Sequence, residues 1–175
     1  QHCGNGAYAD LAIFSFHPVK HIACGEGGMI TTNNKELYEK LLVLRTHGIS
    51  KDPKLMTENH GGWYYEMIDL GYNYRITDMQ CALGTSQLSR AEDGLLRRKQ
   101  IAKRYDEAFS KSQAKSILPD NKFSHAYHLY IINVANRKQL YDALKEKGIY
   151  AQIHYGPVHT MPYYKKLGHK NGDFP

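Results

Sequence analysis

Three cysteines, Cys3, Cys24 and Cys81, are all that this chain of 175 residues carries, and no two of them form a Cys-x-x-Cys pair. An odd, scattered set argues against a disulfide-stapled secreted fold and against a thiolate metal site. It fits inert thiols in a reducing cytoplasm. Long apolar runs are missing too: nothing approaches the roughly 20 residues that a membrane-spanning helix needs. The opening Gln1-His-Cys-Gly-Asn-Gly6 has no basic segment leading into an apolar one, so it does not read as a secretory signal. There is no internal repeat and no low-complexity tract. The closing Asn171-Gly-Asp-Phe-Pro175 has no helix stop, and both ends read as cut from a longer protein.

The charge balance of +6 and the isoelectric point near 9.1 admit a phosphorylated or polyanionic ligand. Because both ends read as cut, that balance carries little weight. An apolar content of 42% is ordinary for a folded α/β chain.

The most informative stretch is Ala12-Ile-Phe-Ser-Phe-His-Pro-Val-Lys-His-Ile-Ala-Cys-Gly-Glu-Gly-Gly28. Ile13, Phe14 and Phe16 read as a buried strand, and Met29-Ile-Thr-Thr32 as a second one after the glycine turn. Lys20 is then fixed on a short, stiff connection between two apolar elements. A lysine held there by apolar neighbours gives up its proton more readily, because desolvation disfavours the ammonium form. A neutral, immobile amine is what Schiff-base chemistry with a carbonyl cofactor requires. Ser15, at the end of the first strand, offers a hydroxyl to a phosphate or serves as an ordinary strand-end hydrogen bonder. His17 and His21 stand four apart, but Pro18 forbids the helical face that would bring them together on a metal, and no metal is expected.

Further along, Asn33-Asn34 caps a helix over 35–45, with Leu37, Leu41 and Leu44 at helical spacing and Gly48 at its C-terminal end. Residues 49–66 form a long loop, polar and then aromatic. Thr77-Asp-Met-Gln80 is a capping box that opens another helix. A further helix from about 89 to 111 carries Leu95, Ala102, Tyr105 and Phe109 on one face and a basic stripe of Arg97, Arg98, Lys99, Lys103 and Arg104 on another. That stripe is interrupted by Glu92, Asp93, Asp106 and Glu107, which favours a solvated face over a nucleic-acid surface. Beyond it, 126–135 reads as a strand, 137–147 as a helix capped by Asn136 and ended by Gly148, and 149–155 as a strand. This pattern predicts a second, smaller α/β domain beginning near residue 90. His154 and His159 bracket a Tyr-Gly-Pro-Val loop that aims both outward. Gly71-Tyr-Asn-Tyr-Arg75 sets an amide between two tyrosines ahead of an arginine and fits either plain turn chemistry or an anion contact.

Taken in order, Phe14-Ser-Phe-His-Pro-Val-Lys20 with Gly25-Glu-Gly-Gly28, Arg45-Thr-His-Gly48, Leu70-Gly-Tyr-Asn-Tyr-Arg-Ile-Thr-Asp-Met-Gln80, and His154-Tyr-Gly-Pro-Val-His159 with Pro162-Tyr-Tyr164 resemble the DegT/DnrJ/EryC1/StrS family of sugar-nucleotide aminotransferases. The resemblance spans nearly the whole chain. It implies an α/β fold of the pyridoxal-phosphate fold type I. Residues 1–90 would be the C-terminal part of the large cofactor-binding domain, and 91–175 an incomplete small C-terminal domain. It implies pyridoxal 5'-phosphate as cofactor, Lys20 as the lysine that bonds to it covalently, and Ser15 as a ligand of its phosphate. Asn73 would reach the phosphate in the partner subunit's site, which makes the enzyme a homodimer with shared active sites. His154, Tyr155, His159 and Arg75 fall in regions that contact the sugar nucleotide.

The branch that these motifs most resemble, with Gly172-Asp-Phe-Pro175, belongs to pseudaminic acid biosynthesis. There, C4 of a UDP-linked 4-keto-6-deoxy-N-acetylhexosamine is aminated with glutamate as donor, in the cytoplasm, for a surface polysaccharide. Family members are longer and carry the groups for the pyridinium nitrogen and ring in a preceding half. The loop at 51–63 is longer here than in many members. Two alternatives stand beside this reading. One is transamination of a dTDP- or GDP-linked ketosugar. The other is a non-catalytic basic module that binds a polyanion. The lysine at position 20, where related dehydratases carry histidine, favours amino transfer.

Overall fold

The computed structural model describes residues 3–117 and 125–174. They fall into two compact units, Gln1–Arg98 and Lys99–Pro175.

The first unit starts from an antiparallel hairpin, β1 (Ala12–Ser15) and β2 (Gly28–Thr31), in register from Ala12↔Thr31 to Ser15↔Gly28. Strand alternation turns Phe14 toward cover and leaves Ile13 80% exposed. Ile13 is therefore not the buried residue that the apolar run predicted, because a two-stranded ribbon has one face to spare and nothing in this unit covers it. Helix α1 (Lys35–Leu44) begins where predicted: the Asn34 side chain accepts from Leu37 N at 3.2 Å. Its neighbour Asn33 is used differently, donating from Nδ2 to Asn5 O at 2.9 Å. The helix stops because His47 and Gly48 both turn left-handed, at φ 63° and 72°, and Gly48 N returns to Val43 O at 3.0 Å.

A two-residue ladder follows, β3 (Ile49–Ser50) against β4 (Glu66–Met67). Helix α2 (Asp78–Leu88) opens on the predicted capping box, with Thr77 and Gln80 satisfying each other's backbone donors. Helix α3 (Ala91–Phe109) matches the helix expected over 89–111, and Ala102 on its apolar face is buried.

In the second unit β5 (Lys115–Ser116) pairs with β6 (Ile132–Asn133), antiparallel. Tyr130 packs on Tyr105 with ring centroids 4.9 Å apart and donates its hydroxyl to Asp106 Oδ1 at 2.7 Å. Burial first, and then the Asp106 carboxylate, push the Tyr130 phenol up to about 12. Helix α4 (Arg137–Glu146) has Asn136 at its N-cap position, but the Asn136 side chain makes no capping bond. A short 3₁₀ turn (Val158–Thr160) and helix α5 (Pro162–Lys166) close the chain, and Phe174 folds back on His159 and His169 at 5.1 and 5.9 Å. Pro175, the last residue of the closing motif, lies outside the described residues.

Two expected strands are corrected here. Of 126–135, only Ile132–Asn133 is strand. Tyr127 sits at φ 49°, a left-handed value that ends extension for a bulky residue. The segment 149–155 is not a strand: Ile149 N is spent on Leu144 O at 2.9 Å and Ala151 N on Ile149 O at 3.2 Å. Backbone donors committed to their own neighbours cannot build a ladder. In place of the predicted β-α-β unit there is a short antiparallel pair followed by helix α4, irregular chain, the 3₁₀ turn and α5.

Candidate active site

Lys20 lies on a turn whose geometry is backbone-made. Its N–H donates to His17 O at 2.9 Å, Phe16 N to Gly27 O at 2.8 Å, and Cys24 N to Phe16 O at 2.9 Å. The residues between β1 and β2 are thereby closed into a fixed loop with Lys20 near its middle. A Cβ on Gly28 would come 2.9 Å from Phe14 O, so this backbone is packed against itself.

The start of α2 forms one wall of that loop. Ile76 presses on Gly27, where an added Cβ would come 3.0 Å from its Cδ1. The Gln80 side chain does double duty: its oxygen accepts from Thr77 N, and its nitrogen donates to Glu26 O at 2.9 Å. Cys24, 3% exposed, is seated beneath α2, where a methyl on Gly84 would stand 2.8 Å from its sulfur. The capping-box reading of Gln80 found the first of these roles and missed the second, for which its spacing gives no signal.

Among the described residues, the flanking apolar side chains do not enclose Lys20 as expected. Lys20 is half-buried, while Val19 and Met29 are exposed. Its backbone is held by the hydrogen-bonded turn. Ser15, opposite Gly28 at the hairpin's end, is exposed, and its oxygen accepts from His17 N at 3.5 Å, leaving its O–H to donate elsewhere.

Asn73 and Arg75 stand on a second platform, built from the residues that follow α1. Asn73 bridges Thr46, Tyr72 N donates to Leu44 O at 2.7 Å, His47 N to Tyr72 O at 2.8 Å, and Tyr74 N to Arg45 O at 3.0 Å. The Arg75 guanidinium donates from Nε to Asn73 Oδ1 at 2.9 Å. Only a backbone without side chains permits this approach: a Cβ on Gly48 would lie 1.7 Å from Asp69 O, and one on Gly71 2.0 Å from Gly48 N. Both glycines belong to motifs quoted above, but the sequence does not say that they meet.

The long loop between β3 and β4 is organised by one carboxylate. Glu66 accepts from Thr57 N and Glu58 N at 2.7 Å each, from Thr57 Oγ1, and from the Tyr64 hydroxyl at 3.2 Å. The Thr57 backbone bond leads in holding the Glu66 carboxyl below its ordinary range, and Tyr64 is raised, first by burial and then by its bond to Glu66. A depressed carboxylate stabilises the fold above its unfolded pKa, about 4.3, and loses that contribution as pH falls through the lower folded value. Amide exchange in 57–66 is therefore expected to stay slow through pH 5 and to quicken only below the usual glutamate range. Glu66→Gln, which turns donors toward donors, is expected to quicken it at neutral pH. Slow exchange in that variant would show that the carboxylate does not hold the loop.

In the second unit, His154 is exposed and leans on Tyr155 with centroids 4.2 Å apart, and His159 is half-buried against Phe174. Only His154 of the two is thus fully outward, as the loop reading had both. Two open clefts, of about 340 and 610 Å³, are lined by Gly6, Ala9, Asp10, Asn33 and Asn34 and by residues 135–139 and 142. Neither includes Ser15, Lys20 or Asn73. Among the described residues no helix is long and apolar enough to cross a membrane, and the three cysteines are free.

A lysine amine on a rigid turn and a serine hydroxyl at the end of the same hairpin are groups that fit a phosphate-bearing aldehyde. A family model, the DegT/DnrJ/EryC1/StrS aminotransferase family, matches residues 2–175. A UDP-4-amino-4,6-dideoxy-N-acetyl-beta-L-altrosamine transaminase of Campylobacter jejuni is 40% identical over 93% of this chain and 43% of its own length. Helicobacter pylori PseC, an aminotransferase of pseudoaminic acid biosynthesis, superposes with a TM-score of 0.83 at 32% identity, over 93% of this chain and 43% of that one. Streptococcus pneumoniae Spr1654, a putative sugar aminotransferase solved in its PMP form, gives 0.84 at 32% over 94% and 44%. The chain spans less than half the length of these relatives. It belongs to the DegT/DnrJ/EryC1/StrS aminotransferase family.

Proposed function

We propose that this chain is part of a pyridoxal-phosphate enzyme that moves an amino group from glutamate to C4 of a nucleotide-linked 4-keto-6-deoxy sugar. The sugar is a UDP-linked N-acetylhexosamine destined for a surface glycan. The enzyme works in the cytoplasm as a homodimer with shared active sites. The observation that carries this reading is Lys20: an amine on a turn locked by three backbone bonds, within a family match that runs from residue 2 to residue 175. The names of the Campylobacter and Helicobacter relatives support the choice of sugar and pathway. Residues 1–90 supply the later part of the cofactor-binding domain and 91–175 a small domain incomplete at its end.

Pyridoxal phosphate, when bound, supplies an aldehyde and a conjugated ring that takes up the electron pair of a broken Cα–H bond. The chain's residues do the rest. Lys20 Nζ bonds to the cofactor between turnovers. With the donor amine in its place, Lys20 Nζ would be the base that carries a proton between the donor's Cα and C4′ of the cofactor. The stiff turn keeps Nζ from wandering while it is unattached, which is what makes a single amine serve both positions. The Ser15 hydroxyl donates to the cofactor phosphate, and the Asn73 amide donates to the phosphate held by the partner subunit. His154, Tyr155, His159 and Arg75 contact the sugar nucleotide.

The complete polypeptide, supplied with glutamate and a panel of UDP-, dTDP- and GDP-linked 4-ketosugars, is expected to release 2-oxoglutarate with the UDP sugar. The expected preference in kcat/KM over the other bases is at least about tenfold. A preference for a dTDP or GDP sugar would overturn the substrate. No 2-oxoglutarate with any sugar, with salt-dependent nucleic-acid binding instead, would overturn the enzyme.

A further inference from the structure

We propose that Arg75 is a positioning residue that turns the Asn73 amide so that its nitrogen, not its oxygen, meets an anion. The inference rests on the reading of Asn73 as a ligand of the cofactor phosphate. Around Asn73 the backbone is pinned on both sides, by His47 N to Tyr72 O at 2.8 Å and by Tyr74 N to Arg45 O at 3.0 Å. Tyr72 and Tyr74 stack on each other, with centroids 4.9 Å apart and planes 8° apart. Asn73, between them in sequence, pairs instead with Arg75. With the backbone pinned, the remaining freedom at this position is that of the side chain, including the rotation of its amide.

The two ends of a primary amide are nearly equal in size and opposite in polarity. A phosphate accepts hydrogen bonds and cannot donate to an amide oxygen when ionised, so the wrong end sets acceptor against acceptor. An arginine side chain carries donors and no acceptor. Its Nε–H, 2.9 Å from Oδ1, therefore selects the oxygen and leaves the Nδ2 hydrogens to face outward. The planar fork of Arg75 holds the angle that a lysine ammonium would not.

The test uses the complete polypeptide, freed of cofactor, and compares its affinity for pyridoxal phosphate with its affinity for pyridoxal, which lacks the phosphate. Asn73→Ala and Arg75→Gln are each expected to raise Kd for pyridoxal phosphate by about tenfold, the scale of one charge-assisted hydrogen bond. Kd for pyridoxal should stay unchanged. Because Arg75 acts through Asn73, the double variant should bind no worse than Asn73→Ala alone. Arg75→Lys should resemble Arg75→Gln. Additive losses, or full rescue by lysine, would mean that Arg75 acts on the phosphate by its own charge, and would overturn the proposal. So would an effect of Asn73→Ala with none from Arg75→Gln. If Asn73→Ala leaves the ratio of the two affinities unchanged, the phosphate reading of Asn73 itself falls.

Discussion

Lys20→Ala in the complete polypeptide is expected to lower turnover by about 10⁴-fold or more, because it removes both the covalent anchor and the proton carrier. Borohydride reduction followed by peptide mapping should fix cofactor to position 20 in the unmodified protein and nowhere in the variant. Lys20→Arg keeps the charge and length but cannot bond to an aldehyde, and should be equally inactive. That pair separates chemistry from folding. The Lys20 side chain is half-buried, and the turn around it is held by main-chain bonds from residues 16, 20 and 24, none of which needs the amine. Denaturant unfolding of both variants beside the parent reads what the side chain contributes to the fold. Label at another lysine, or persistent activity in Lys20→Arg, would remove this lysine from the reaction. An inactive variant that has also lost its cooperative unfolding would instead show that the side chain supports the turn.

What was legible in the residues beforehand was local. The start of α1 follows from Asn34 and its end from Gly48, because caps act within four residues of the bonds they satisfy. The capping box at Thr77 and Gln80 is readable for the same reason. The failures arise where an element depends on which other groups fold against it, and Asn136, at an N-cap position without a capping bond, shows that even a local signal can go unused. Residues 149–155 have strand composition, yet a strand exists only where a neighbour offers its edge, and Ile149 and Ala151 bond locally instead. Glu66 looks like any loop-end acid until Thr57, Glu58 and Tyr64 are seen to converge on it. The candidate residues themselves were readable because their motifs are short. The support they rest on, Gln80 on Glu26 and Gly48 against Gly71, was not. Burial was overestimated at Ile13 and around Lys20 and underestimated at His159. Cys24, Gly48, Ser50 and Ala102 are the buried residues among those described, and no large side chain is wholly buried.

The crossing of Gly48 and Gly71 gives the second large expectation, and four glycines separate its causes. Gly48 is at φ 72° and its added Cβ would fall 1.7 Å from Asp69 O, so Gly48→Ala meets both backbone strain and a collision. Gly71→Ala meets the collision without a left-handed backbone, its Cβ at 2.0 Å from Gly48 N. Gly25, at φ 84° with nothing within 4 Å of its Cβ, isolates the strain. Gly62 has neither and serves as the blank. The left-handed cost is about 1–2 kcal/mol, while main-chain atoms cannot rotate aside as a side chain can. The collision should therefore outweigh the strain, at more than about 3 kcal/mol. Denaturant unfolding is expected to rank Gly62→Ala as neutral, Gly25→Ala as mild, and Gly71→Ala and Gly48→Ala as severe. The severe pair should also release the amides of His47, Tyr72 and Tyr74 to exchange, because their bonds span the crossing. If Gly71→Ala proved as mild as Gly25→Ala, the two backbones would not approach as closely as drawn, and the rigid seat ascribed to Asn73 would be lost with it.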